Sequence, residues 1–384
     1  SGSGCSNNNN NTGAAAAVDT AAVLAVISRE VRSAQEPTRL EALRWVHFLL
    51  VRNEAEVFGQ LALLLSALLD ALGAPSERTV LGALAVLGQV AAHPQHFRRV
   101  LSALVDRFRG DEGLALLQRG GPLVVRRLCA AMGAGRVFAE LASLLDEERG
   151  DLPFASAMVQ ALNLVLLTAS ETRGLRDALR RAGAKSGGGD EGRRPKRPQQ
   201  QGGKVDDGDN QQTDEEEEQE EEEGARVWRA LYPAWSHSCG AALSLCLLAQ
   251  ADGHACAMLG RLSALPLGAG ALVQLARLVQ LLECPAFAPL RLRLLEPPPP
   301  PPPAYSGGDG GGAGGGGSPL VRALYALLMI LPQSSAFRTL GARLAAAAPA
   351  AQANGRGGGG ALECDGATAS QREWERRDWP ELLD

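Results

Sequence analysis

The chain's 384 residues are enough for two ordinary domains or one long array of helices. Apolar residues make up 45% and aromatics only 4%, so Leu, Ala and Val carry the apolar load; Leu and Ala favour helices, and β-branched and aromatic strand formers are scarce outside the apolar runs, which predicts an all-α protein. A net charge of -5 gives no basic face of the kind a nucleic-acid binder presents, and no nucleic-acid partner is expected.

Residues 1 to 17 are mostly Ser, Gly, Asn and Ala without periodicity, and predict no fixed structure. From 18 to 183 the sequence reads as helices with clear punctuation. Thr38 to Glu41, after Pro37, has capping-box spacing, and the helix behind it carries Leu43, Val46 and Leu50 on one face. The next run, Val57 to Leu72, is the richest apolar stretch, stops at Gly73, and is too short and too interrupted by Ser66 and Asp70 to cross a bilayer. No segment reads as a signal peptide. Ser76 caps a helix that ends before Pro94, and His96 to Arg109 forms another. A short helix is expected to stop at Gly120 and Gly121, with Pro122 opening the next, which holds Val125, Leu128 and Cys129 and ends at Gly133. Phe154, Met158, Leu162 and Val165 follow the rhythm of a buried helix face. Helix pairs joined by tight turns, with caps at Thr38 and Ser76 near the spacing of HEAT repeats, predict stacked pairs that share a continuous core.

Residues 184 to 224 interrupt this pattern with a Gly run, a basic cluster (Arg193, Arg194, Lys196, Arg197), a Gln run and an acidic block from Asp214 to Glu223. Such a segment has nothing apolar to bury and predicts a disordered linker. Helices resume at 225, with Leu243, Leu247 and Gln250 along one and Leu275, Leu278, Val279 and Leu282 along another. Seven prolines (Pro297 to Pro303) and a Gly-rich stretch to Ser318 form a second insertion. Two more helices, 319 to 331 and 334 to 348, complete a C-terminal helical domain, and 349 to 384 read as a disordered tail bearing Trp374 and Trp379. Domains are therefore expected at 18–183 and 225–348.

Catalytic signatures are missing. Gly202-Gly203-Lys204 is followed by Val205 and lacks the hydroxyl of a phosphate loop. Cys256 lies one residue too close to Arg261, and Cys284 one too far from Arg291, for a cysteine-phosphatase loop. Neither H-E-x-x-H nor G-x-S-x-G occurs. His237 with Cys239, and His254 with Cys256, match no standard zinc spacing. Seven cysteines, an odd number set mostly in apolar runs, read as reduced thiols of a cytoplasmic protein. No enzyme activity, cofactor or metal is expected.

Several strings in order carry a resemblance: Phe154 to Asn163; Trp235-Ser236-His237 followed by Leu243 to Gln250; Leu278 to Pro285 with Phe287 and Leu290-Arg291-Leu292; and Arg322 to Met329 running into Leu331-Pro332-Gln333-Ser334-Ser335-Ala336-Phe337. Together they resemble the C-terminal half of the vacuole-morphology scaffold family, also called ArPIKfyve. The resemblance implies a HEAT-type α-solenoid that self-associates and binds a Sac-domain phosphoinositide phosphatase. It also implies control of phosphatidylinositol 3,5-bisphosphate on endosomal and vacuolar membranes, to which the protein attaches peripherally. The PIKfyve lipid kinase is engaged in that family through more N-terminal repeats, which this sequence largely lacks. Where the family has an aromatic and an acidic residue, this chain has Asp252-Gly253 before His254. Protein-binding candidates on the matching strings are Trp235, His237, Gln250, His254, Gln280, Glu283, Arg291, Gln333 and Phe337. Caps and core hydrogen bonds are the alternative role for the polar ones, and core packing for Trp235 and Phe337. A generic HEAT or armadillo adapter, with the basic cluster as a nuclear-import signal, is the competing reading.

Overall fold

The computed structural model describes residues 19–147, 150–186, 222, 224–295 and 318–352. All regular structure among the described residues is helical. The expected N-terminal segment lies outside them, and so do most of the two expected insertions and the expected tail beyond Gln352; residues 349–352, expected in that tail, instead continue the last helix. The chain divides into two compact units, Ser1–Arg107 and Phe108–Asp384.

The first unit contains α1 (Thr20–Glu30), α2 (Glu36–Arg52), α3 (Glu54–Gly59), α4 (Leu61–Ala71), α5 (Glu77–Ala92) and α6 (Pro94–Arg107). Asp19 caps α1, its carboxylate accepting from the Ala21 and Ala22 N–H groups at 3.1 and 3.2 Å. The capping box expected at Thr38 is absent, because α2 starts at Glu36 and takes Thr38 into its first turn. Pro37 is suited to that turn, where a missing N–H costs nothing, and Glu36 faces the positive end of the helix. The run expected to be one helix from Val57 to Leu72 breaks at Gln60. Gly59 weakens the helix there, and the bend allows both Val57 and Leu61 to be buried. Ser76 does cap α5, accepting from Thr79 N at 3.4 Å. α6 begins two residues earlier than expected, with Pro94 in its first turn.

Within this unit α1 packs on α4 and α4 on α6, while α2 packs on α5. Helices of one layer thus stack on their own kind, and α1–α2 and α4–α5 pair across the layers. This is helical-repeat packing, in which each pair completes the core of the next. Asp70 on α4 ties the first layer at its surface: Arg32 Nε donates to it at 2.7 Å, and Arg107 stands 3.9 Å away.

The second unit contains α7 (Gly110–Met132), α8 (Ala134–Glu147), α9 (Leu152–Thr168), α10 (Arg173–Ser186), α11 (224–235), α12 (Cys239–Leu248), α13 (Asp252–Ser263), α14 (Ala269–Leu281), a 3-10 turn (Pro285–Phe287), α15 (Ala288–Arg293), α16 (Pro319–Ile330) and α17 (Ser335–Gln352). The two helices expected around Gly120 are one, with Pro122 inside α7. An internal proline costs about 3 kcal/mol. The buried stripe of Leu116, Leu117, Val124, Val125, Leu128 and Cys129 outweighs that cost, at about 1.5–3 kcal/mol for each large side chain. Gly133, at φ +86°, ends α7 as expected.

α7, α9, α12, α14 and α17 follow one another as a layer, and α8–α10 and α13–α16 pack in the other. Gly240 to Leu248 of α12 are all buried, as expected for a helix with no face left for water. Backbones meet closely where glycine stands: a Cβ on Gly183 would lie 1.5 Å from the Ala249 carbonyl oxygen, and one on Gly240 2.9 Å from that of Gln274.

Candidate functional site

The candidate residues distribute over three places in the second unit. The first is a buried polar node between α9, α11 and α12. Asn163 sits among the apolar side chains of α9, and its Oδ1 accepts from Trp235 Nε1 at 3.3 Å. Ser244 Oγ of α12 lies 2.7 Å from the same oxygen and shares its hydrogen with the Ala241 carbonyl at 2.8 Å. Trp235 is fully buried and packs near Phe138, so it acts on a partner only by holding α11 in place. Sequence reading passed over Asn163, although a lone amide inside Ala-Leu-Asn-Leu-Val-Leu-Leu is the signal that could have found it.

The second place is the α12–α13 corner. Gln250 does not continue α12 but closes it in the left-handed region, at φ +61°. Its N–H donates to the Leu247 carbonyl at 3.4 Å, and the Ala251 N–H donates to that of Cys246 at 2.9 Å. Those two bonds form a Schellman closure with glutamine where glycine usually stands. Asp252 opens α13, buried, and pairs with Arg293 of α15. Burial pushes the Asp252 carboxyl above its ordinary range, and the Arg293 guanidinium opposes that shift. His254 Nε2 meets the Tyr232 hydroxyl of α11. The Tyr232 phenol is itself raised by burial first and by the neighbouring Cys246 next, with Arg261 opposing. Burial lowers the His237 pKa, with the Asp146 charge opposing.

The third place is the end of α14. Arg291 Nη1 donates to the carbonyls of Leu282 and Cys284, at 2.5 and 3.0 Å. It therefore caps α14 from α15. Glu283 pairs with Arg343 of α17 at the surface. Gln280 and Gln333 are exposed, on α14 and in the α16–α17 turn. Phe337 is half-buried one turn into α17, its N–H donating to Ser334 Oγ at 3.4 Å. Glu283 and Arg291 thus share one corner with Gln280 nearby in sequence, while Trp235 belongs to the core. A groove of about 280 Å³ lies beside that corner, between α15 and α17.

Among the described residues, these three places combine buried links, helix caps and exposed polar groups. Burial holds the Cys129 thiol up to about 12 and raises Cys239 and Cys246 as well, so these thiols stay protonated and are poor nucleophiles. Among the described residues, no three His, Cys, Asp or Glu side chains gather as a metal would require.

A protein-family model described as "Vacuolar protein 14 C-terminal Fig4p binding" matches residues 114–191 and 211–347, a span that includes all nine candidate residues. Among curated proteins, the Arabidopsis thaliana Protein VAC14 homolog is 38% identical over 85% of this chain and 36% of its own length. The Schizosaccharomyces pombe homologue is 31% identical over 85% of this chain and 33% of its own length. The Saccharomyces cerevisiae Vacuole morphology and inheritance protein 14 is 24% identical over 66% of this chain and 22% of its own length. The chain spans about a third or less of the length of these relatives. With more than half of its residues matched by the family model, the chain belongs to the Vac14 family, in the part of it that the model describes as C-terminal.

Proposed function

We propose that this chain is a non-catalytic scaffold whose helices α11 to α17 hold a Sac-domain phosphoinositide phosphatase of the Fig4 type. The observation that carries this reading is the match of a Fig4p-binding family model to residues 211–347, the stack in which α12, α14 and α17 pack in turn. Exposed Gln280, Gln333 and the Glu283–Arg343 pair are the contact groups we assign, while Trp235, Gln250 and Arg291 set the backbone that displays them. His237, His254 and Phe337 lie half-buried at the edges of the same stack. A stack of helix edges can hold several proteins at once, and tethering raises their effective concentration.

Self-association, cytoplasmic residence on endosomal and vacuolar membranes through the complex, and control of phosphatidylinositol 3,5-bisphosphate belong to the same reading. Contact with a PIKfyve-type kinase is assigned to the part of the family's length that this chain does not cover. Purified full chain mixed with a Fig4-type phosphatase and run by size exclusion with light scattering tests the proposal. Co-elution that weakens for Gln280→Ala with Gln333→Ala is expected. A folded chain that captures no phosphatase would point back to a generic helical adapter.

A further inference from the structure

The groove between α15 and α17 is not explained by repeat packing. Leu292 and Leu295 stand 63% and 59% exposed on one side, Ala346 lies on the other, and Arg291 and Arg343 rim it. Its volume of about 280 Å³ suits a few apolar side chains and falls below the usual range for small-molecule pockets. Each arginine uses one nitrogen inside the fold: Arg291 Nη1 on two carbonyls, Arg343 Nη2 on Glu283. A guanidinium has five donors, so both keep N–H groups able to take a carboxylate. The occupant that fits is therefore a short segment with apolar anchors and several carboxylates.

The sequence beyond α17 contains one. Asp378-Trp379-Pro380-Glu381-Leu382-Leu383-Asp384 has apolar residues at i, i+3 and i+4 interleaved with three carboxylates, the spacing of an anchor series laid into a groove. It is connected to the groove's own wall, since α17 carries Arg343 and Ala346 and runs to Gln352. Returning from Gln352 to Ala346 means covering about 9 Å of helix. Residues 353 to 377 lie between, and a chain of about 25 residues can reach at most roughly 80–90 Å. Reach is therefore ample, and intramolecular binding gains an effective concentration on the order of millimolar.

We propose that residues 378–384 occupy the α15–α17 groove of their own chain, with Trp379, Leu382 and Leu383 against Leu292 and Leu295 and the carboxylates facing Arg291 and Arg343. The full chain carrying photoreactive benzoylphenylalanine in place of Trp379, irradiated and mapped by mass spectrometry, tests this. The expected result is a cross-link from position 379 to residues 288–295 or 339–346 within a single chain. Leu292→Asp with Leu295→Asp, both at exposed positions, should reduce its yield roughly tenfold, as losing about 1.4 kcal/mol of binding would. Circular dichroism of the double variant should match the parent, which separates lost docking from lost folding. Cross-links that join two chains make the occupant a second copy. Cross-links to any other segment, or a yield unchanged by the aspartates in a folded variant, overturn the proposal equally.

Discussion

The two units are built from the same helical pairs but place their polar side chains differently. In the first unit the side-chain links between distant helices sit at the surface: Arg32 and Arg107 around Asp70, and His47 Nδ1 with Gln89 at 2.6 Å. The second has such surface pairs too, Arg126 with Glu171 and Glu283 with Arg343, but adds links that lie inside, Asn163 with Trp235 and Ser244, and Asp252 with Arg293. Apolar stripes alone allow neighbouring helices some freedom to slide. A buried amide that must meet two donors fixes one register, because any slip leaves polar groups in the core without partners. The unit that the family model covers is thus the one whose helix positions are most tightly specified.

Substitutions can break this comparison. The largest expected effect is at Gly183, where even a methyl would meet the Ala249 carbonyl oxygen at 1.5 Å. Gly183→Val should destabilise the second unit by more than about 4 kcal/mol, read as loss of its cooperative urea transition. Next comes Asn163→Ala, which leaves the buried Trp235 N–H without its acceptor, while the Ser244 hydroxyl keeps the Ala241 carbonyl. At about 1–3 kcal/mol for one stranded group, it should cost that much by denaturant titration.

His237 gives a smaller, pH-dependent effect. Burial holds its folded pKa below the ordinary 6.5, so below that pH the unfolded chain binds the extra proton and the folded one resists it. Stability should therefore fall as pH drops below 6.5, and His237→Gln should flatten that slope while leaving the neutral-pH midpoint nearly unchanged. The smallest effect belongs to the first unit: Asp70→Asn removes exposed ion pairs and should cost under about 1 kcal/mol. If Asp70→Asn cost as much as Asn163→Ala, the contrast between surface links and buried links would collapse.

Periodicity made the helical class legible, because Leu, Ala and Val recur at spacings that only helices can turn to one side. It made Ser76 and Gly133 legible for local reasons, a hydroxyl acceptor and a residue free to take positive φ. It failed where local rules gave way to tertiary demands. Gly120-Gly121-Pro122 reads as a stop, yet the stripe from Leu116 to Cys129 keeps α7 whole. Thr38 has the form of a cap, yet Pro37 starts the helix before it. Gln250 fits the face of α12 by spacing, yet the chain turns there with a residue that usually avoids such a turn. The candidate site was legible as a set of strings and not as an arrangement. No spacing rule shows that Arg291 reaches back to the Leu282 and Cys284 carbonyls or that Trp235 points at Asn163, since those contacts join helices far apart in sequence.

The fully enclosed α12 has a consequence for biosynthesis. Cys239 to Leu248 emerges from the ribosome after α9, on which one side of it can settle, but the side that α14 covers stays open until Ala269 to Leu281 has followed it out. A nascent chain stalled between those points exposes a segment that clings to chaperones or to other unfinished chains.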